Sequence, residues 1–469
     1  MSTGFLQVKG TQIVDGNGAP VILRGSALGG WLNMENFLTG FPGHESGVRA
    51  AMRNVMGEES YEFFFDRWLY HFFTKEDAEF FSSLGLNCLR LPFNHRHLED
   101  DMNPRVLKNS GFKHLDRVID LCAAHKIYTI LDMHTVPGAQ NQDWHSDNPT
   151  NYAAFWDYKD HQDRAVWLWE QIARRYKDNP WVAGYNPMNE PADPSRSALA
   201  PFYARLEKAI RAIDPQHILF LDGNTYAMEW EGFEGFPILP NAVYSIHDYS
   251  MMGFPEGELY NGTPEQDAKL ERQFLRKCDF NLRHRLPIWN GEFGPTYLFA
   301  DSPDAAAVNK CRYALLRKQM QIYESHSVSW STWTYKDIGL MGMVSTRQDS
   351  AYNRLVAPIM AKKQRLYVDV FSIERSAEVE ALLEPLVKWI DEVSPNAKKT
   401  YPLNWDTKNH VIRAVLRTFL AQSLYQEFAE LFWGKSRDEL EELASSFNLD
   451  KCVLRQELNE ALRECTRPQ

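Results

Sequence analysis

The chain has 469 residues and a formal net charge of −11, with 44% hydrophobic and 24% charged residues. That length fits a barrel with additions, and the balance is that of a chain able to bury a full core. The acidic net charge excludes a broad nucleic-acid surface, which needs clustered Lys and Arg, and disfavours adhesion to an acidic membrane.

The N-terminus, Met1-Ser2-Thr3-Gly4, leads straight into a predicted strand, without the basic region and apolar run of a secretory leader. No apolar stretch is long enough to span a bilayer. The six cysteines (Cys88, Cys122, Cys278, Cys311, Cys452 and Cys465) are scattered and form no CxxC pair. A reducing, cytoplasmic setting is therefore expected.

Residues 5–24 read as a hairpin, two apolar-rich runs around Asp15-Gly16-Asn17-Gly18. It is placed to cover the bottom of a barrel. Strands are then predicted at Ile22–Gly29, Cys88–Asn94, Tyr128–His134, Val182–Glu190, Ile218–Asn224, Ala242–Tyr249, Pro287–Gly294 and Ser327–Tyr335. Amphipathic helices fall between them at Thr74–Leu84, Phe112–His125 and Ala305–Ser325, the first with Thr74 and Asp77 placed for a helix start. Eight strands alternating with helices predict a parallel sheet closed as a (β/α)₈ barrel, an α/β fold, over residues 1–371.

From residue 372 to 469 the pattern is purely helical. Ile412, Leu416, Leu420, Leu424, Phe428 and Leu431 form one apolar stripe, and Ser436 with Glu439 forms a capping box. This segment reads as a helical extension docked on the barrel, with a homo-oligomer contact as the lesser alternative.

Active sites of such barrels lie at the C-terminal ends of the strands. Those ends carry Arg90 and Asn94, Asp132 and His134, Asn189 and Glu190, His247 and Tyr249, Glu292, and Trp333. Strands four and seven face each other across a barrel mouth, which brings Glu190 and Glu292 together. Glycoside cleavage needs two such carboxyl groups, one to protonate the leaving oxygen and one to attack the anomeric carbon. At about 5–5.5 Å they act through a covalent intermediate with retention. Glu190 must then hold a proton while Glu292 is ionised. A donor such as Arg90 or Tyr249 favours the Glu292 anion, and His247 is a proton-network partner for Glu190. Metal-assisted hydrolysis needs more converging His and carboxylate ligands than Asp132 and His134 supply, so no metal is expected. No Gly-rich phosphate loop joins a strand to a helix, and no cofactor is expected. Gly29-Gly30 reads as a tight backbone turn.

Taken together, these strand ends resemble glycoside hydrolase family 5, a branch of the clan of retaining (β/α)₈-barrel glycosidases. The resemblance covers about residues 5–370. Matched residue by residue, it implies Glu190 as general acid/base, Glu292 as nucleophile and Arg90 as support for Glu292. It implies Asn189 as the partner of the sugar 2-hydroxyl, His134, His247 and Tyr249 as walls of the subsite for the cleaved sugar, and Trp333 as its floor. The segment Arg24–Phe37 is similar to a subgroup of exo-acting β-mannosidases and related β-glycosidases.

Loops set the substrate. Trp144, Tyr152, Trp156 and Tyr158 follow strand three, Tyr226, Glu229 and Trp230 follow strand five, and Trp31, Glu35 and Asn36 follow strand one. About half of these rings are expected to pack loop against barrel and the rest to wall a pocket. A pocket favours a retaining β-glycosidase acting on short oligosaccharides or small glycosides, β-mannosides ahead of β-glucosides. The alternatives are a diglycosidase releasing a disaccharide from an aglycone and an endo-β-glucanase. Intact Glu190 and Glu292 argue against a non-enzymatic sugar-binding protein. The expected partner is a small carbohydrate, with neither nucleic acid nor membrane.

Overall fold

The computed structural model describes residues 4–368, 377–403 and 405–467. Its first element is a small antiparallel sheet of Gln7–Lys9, Gln12–Val14 and Pro20–Val21. The expected turn at Asp15–Gly18 joins the second and third strands, with the Asp15 carboxylate accepting from the Asn17 and Ala19 amides at 2.9 Å. A further turn at Gly10, where φ is +62°, adds a strand that the single predicted hairpin lacks. Leu6 and Ile13 from this sheet pack with Leu23, Cys88, Ile130 and Trp289, closing one end of the barrel against water.

Eight parallel strands form a closed barrel. They are β1 (Arg24–Ala27), β2 (Cys88–Asn94), β3 (Tyr128–Thr135), β4 (Val182–Asn186), β5 (Ile218–Asp222), β6 (Ala242–His247), β7 (Ile288–Glu292) and β8 (Ser329–Thr332). Both faces of β2 and β4 are buried along their whole length, which is why they read as continuous apolar runs. Pairing stops earlier than predicted on β4 and β6. On β4 the next residue is Pro187, which has no N–H to continue the ladder. The residues beyond, Asn189 and Glu190, therefore leave the sheet and form the mouth.

The predicted helices stand at Lys75–Ser83, with the Thr74/Asp77 capping box formed, Phe112–Ala124 and Ala305–Ser325. Two more, Glu45–Met56 and Glu58–Phe72, lie between β1 and β2. The second carries Phe64, Phe65, Trp68 and Phe72 toward the C-terminal segment. There Phe64 meets Phe432 and Phe72 stacks on Phe447, both at 5.1 Å between ring centroids.

The expected domain boundary at residues 371 and 372 lies outside the described residues. Beyond it come helices Ala377–Val393, Thr407–Val411, Tyr425–Glu430, Arg437–Ser445 and Gln456–Thr466, with a π-helix at Ile412–Leu420. The Ser436/Glu439 capping box is formed. Of the predicted stripe, Ile412, Leu424 and Phe428 are buried. The segment is not purely helical. Cys452–Leu454 pairs antiparallel with Val344–Thr346, whose other edge pairs with Lys336–Asp337. An exposed strand edge is a row of unpaired backbone groups, and the extension covers it.

Candidate active site

At the barrel mouth the centre is Arg90, whose side chain has no solvent exposure. Its guanidinium donates to Glu292 Oε1 at 2.6 Å, to Asn189 Oδ1 at 2.6 Å and to Asn186 Oδ1 at 2.9 Å, and lies 3.0 Å from Asp132 Oδ2. A fully buried cation is tolerable only when paired this thoroughly. The planar fork fixes three strands relative to one another.

Glu292 ends β7. Pairing of β7 with β6 shifts register between Asn290 and Glu292. Such a bulge re-aims the following side chain, here into the cavity. Gly291 sits in it, and a Cβ there would stand 2.8 Å from His247 Nε2. The second Glu292 oxygen accepts from the Tyr249 hydroxyl at 3.0 Å.

Glu190 follows Asn186-Pro187-Met188-Asn189 and holds φ at +46°. That left-handed conformation is costly for a residue with a Cβ and clusters at functional sites. Its amide donates to Asp222 Oδ2 at 3.0 Å. Its carboxyl oxygens lie 2.7 Å from His247 Nδ1 and 3.0 Å from His145 Nε2. Oxygens of Glu190 and Glu292 and a nitrogen of His247 all fall within 4.8 Å of one another. Among the described residues this is the one group that converges closely enough to hold a metal. Its oxygens are already held by Arg90, Tyr249 and the two histidines.

Burial pushes both carboxyls up, Glu190 to about 8 and Glu292 to about 7. The charge of Asp222 adds to the rise at Glu190, and the Arg90 guanidinium counters the rise at both, with a hydrogen bond as well at Glu292. Glu190 is the more strongly raised of the two. His247 and His134 are held well below the usual histidine range by burial and by Arg90, so both are neutral.

His134 Nδ1 lies 2.7 Å from Asp132 Oδ2, and its ring stacks on Trp333 at 5.3 Å and 12°. Asn189 Oδ1 is taken by Arg90, which leaves its amino group facing His134 Nε2 at 3.2 Å. Trp333 reaches this position because Gly29 opposite has no side chain. A Cβ there would sit 2.6 Å from the Trp333 ring. Gly29 and Gly30 form the expected turn, with Gly30 at φ +79°, and Gly29 also allows this close approach.

The cavity holds about 280 Å³ and is lined by Glu190, His247, Tyr249, Glu292, Trp333 and His134, among others. All eight residues expected at the site are brought together. Four further lining residues bear on the chemistry. Glu35, buried and 3.4 Å from His134 Nε2, has its carboxyl raised well above the ordinary range by burial and by the Glu292 and Glu190 charges. His145 sits in the loop after β3, where the aromatic residues drew attention instead. Trp405 and Arg413 come from the extension, and nothing in their local pattern marks them.

The loop rings divide. Trp144 and Tyr226 line the cavity. Trp31 donates to the Leu69 carbonyl, Trp156 to the Gln140 carbonyl, and Trp230 stacks on Phe280. Tyr152 and Tyr158 are exposed.

Comparison with known proteins places this geometry. The family model described as cellulase (glycosyl hydrolase family 5) matches residues 44–339. A β-xylosidase of Phanerodontia chrysosporium is 49% identical over 98% of this chain and 98% of its own. Endoglucanase C of Acetivibrio thermocellus is 24% identical over 56% of this chain and 84% of its own. An endogalactoceramidase crystal structure superposes with a TM-score of 0.53 at 18% identity, covering 71% of this chain and 75% of that one. The last likeness is one of fold alone.

Proposed function

Given that the chain belongs to glycoside hydrolase family 5, and is thus an O-glycoside hydrolase, we propose that it is a retaining, exo-acting β-glycosidase of small β-glycosides. The observation that carries this reading is the pair Glu190 and Glu292, with oxygens within 4.8 Å and different hydrogen-bond partners, histidines at Glu190 and Arg90 with Tyr249 at Glu292. An inverting pair stands about 6.5–9.5 Å apart to admit water, so the spacing supports retention.

In this reading Glu292 attacks the anomeric carbon as Glu190 gives its proton to the glycosidic oxygen, and the C–O bond to the aglycone breaks. A glycosyl ester on Glu292 remains. Glu190, now anionic, takes a proton from water as that water attacks the same carbon and Glu292 leaves. Arg90 and Tyr249 hold Glu292 as the anion before attack and after release. The Asn189 amino group, its carbonyl tied down by Arg90, is oriented toward the 2-hydroxyl. Glu35 and His134 offer hydrogen bonds to the remaining hydroxyls over the Trp333 face.

A cavity of about 280 Å³, walled by loops and by the C-terminal extension, favours a terminal sugar over a chain passing through. The similarity to the Phanerodontia β-xylosidase over nearly the whole length supports β-xylosides as the first glycone to test, ahead of β-mannosides and β-glucosides. Six free cysteines, three of them buried, support a reducing compartment. The experiment is a panel of 4-nitrophenyl β-xyloside, β-mannoside, β-glucoside and disaccharide glycosides, with product anomers followed by NMR. The expected result is greatest kcat/KM on the xyloside and the β-anomer first. An α-anomer first overturns retention, and a preferred disaccharide glycoside overturns exo action on one sugar.

A further inference from the structure

The C-terminal extension reaches the mouth of the cavity on the side of Glu190. In the proposed reaction Glu190 touches the leaving oxygen, so groups beyond Glu190 border the leaving group. One run of contacts leads there. His145, 3.0 Å from Glu190, meets the Tyr226 ring at 6.1 Å, and Tyr226 stacks on Trp405 at 5.6 Å and 29°. Tyr226 is anchored beside the acid/base by its amide, which donates to the Pro191 carbonyl at 3.1 Å.

Trp405 is itself locked in place. The Arg413 guanidinium lies 3.8 Å from its ring centroid and pairs with Asp143, and Arg417 lies 4.3 Å from the Trp144 ring. Both arginines come from the π-helix, an element that recurs at functional sites. Trp405 keeps 6% exposure and still lines the cavity.

The chemistry of this wall is apolar. Met228, Met251 and Phe254 line the same cavity as Tyr226 and Trp405, and Met251 is 64% exposed. Thioethers and rings adapt to apolar groups. The lining charges are already engaged. Arg413 pairs with Asp143, Lys277 with Asp248 at 2.7 Å, and Glu256 accepts from Tyr367 at 2.8 Å. A subsite for a second sugar would offer donors and acceptors to its hydroxyls.

We propose that Trp405 of the extension, stacked on Tyr226 and lining one cavity with Met228, Met251 and Phe254, forms a leaving-group subsite for an apolar aglycone. The inference rests on the glycosidase reading above. The subsite acts before and during departure of the aglycone, not on the glycosyl ester that follows, so it is read in kcat/KM.

The test compares benzyl and methyl β-glycosides of whichever sugar is turned over best. Their leaving alcohols are of nearly equal acidity, so the ratio of the two kcat/KM values reads contact with the ring. An inactive fraction of enzyme cancels in that ratio. The wild-type chain is expected to prefer benzyl by about tenfold. Trp405→Ala is expected to bring the ratio to within about twofold of one, and Met228→Glu, which places a charge on the same wall, to do likewise. Equal use of both glycosides by the wild-type chain, or a ratio unmoved in both variants, overturns the proposal. If no β-glycoside is turned over, the glycosidase reading is what fails. Calorimetric binding of benzyl and methyl β-thioglycosides then reads the subsite without turnover. A benzyl preference lost in Trp405→Ala supports it, and its absence overturns it.

Discussion

Glu190 and Glu292 are the same residue type in the same cavity, and the Arg90 guanidinium donates a hydrogen bond to Glu292. Burial raises Glu292 to about 7 and Glu190 to about 8; the Arg90 charge lowers both, and at Glu292 its hydrogen bond lowers the carboxyl further. The dependence of kcat/KM on pH is therefore expected to be bell-shaped, falling below about 7 as Glu292 protonates and above about 8 as Glu190 ionises. In Glu190→Ala, assayed on an aryl glycoside whose leaving group needs no proton, the alkaline limb should vanish and the acid limb stay. An alkaline limb that survives removes Glu190 from the acid role. The same raised carboxyl has a cost in stability. It keeps its proton in the folded chain after the unfolded chain has lost it, so its contribution is fully present below the ordinary carboxylate range. That contribution is lost as pH rises through about 8. Glu190→Gln should hence match the wild-type chain in thermal denaturation at pH 4 and exceed it by a few kcal/mol at pH 8.5. An advantage that does not grow with pH contradicts the burial argument. Residues at this scale were legible where they sit on strand ends, because the barrel fixes where a strand end points. Glu35 was legible only as one of several loop residues, and His145 not at all, because a loop residue's direction depends on contacts that spacing does not encode.

Elements were legible in proportion to how far local pattern decides them. The run Cys88-Leu89-Arg90-Leu91-Pro92-Phe93-Asn94 is a strand with exactly those bounds because both its faces are buried. Capping boxes at Thr74 and Ser436 form from side chains three residues apart. Cys452–Leu454 was not legible, since three residues make a strand only when an edge such as Val344–Thr346 is waiting. Nor was the turn carrying Tyr226, where Thr225, Tyr226 and Ala227 hold φ at +51°, +62° and +56°. No local preference favours that conformation, and tertiary contacts impose it. One of those contacts is testable between elements. Asp143, in the loop after β3, pairs with Arg413 of the π-helix and lies 3.8 Å from Arg417. Asp143→Ala leaves two enclosed guanidinium groups without that carboxylate and should cost about 3 kcal/mol in chemical denaturation. Adding Arg413→Met should recover a good part of that loss, because an apolar side chain there asks for no partner. Additive losses would mean that the two side chains are independent and that the extension is held at the mouth by something else.

At the scale of the molecule, the question is whether residues 372–469 are a separable domain. The sequence divides there because strand–helix alternation stops, and periodicity has no access to what a stripe packs against. The contacts argue for one cooperative unit. Phe64 and Phe72 of the helix after β1 pack on Phe432 and Phe447 of the extension. Lys336, fully buried beside β8, pairs with Asp77 at 2.6 Å and donates to the Phe447 carbonyl at 2.8 Å. Thr466 donates to the Leu84 carbonyl at 2.6 Å, at the end of the helix that precedes β2. Removing the extension would strip an aromatic face from Glu58–Phe72 and an acceptor from a buried ammonium, and would bare the edge of Val344–Thr346. Each is a named route to large destabilisation, and a protein's whole margin is about 5–15 kcal/mol. A chain ending near residue 370 is therefore expected not to accumulate as folded protein, and the intact chain to unfold in a single transition seen alike by circular dichroism and by tryptophan fluorescence. Two separated transitions, or a truncated barrel that refolds and binds sugar, would establish 372–469 as a module added to a finished barrel. The single transition follows from where the aromatic core lies, since it runs from the barrel helices into the extension without a break.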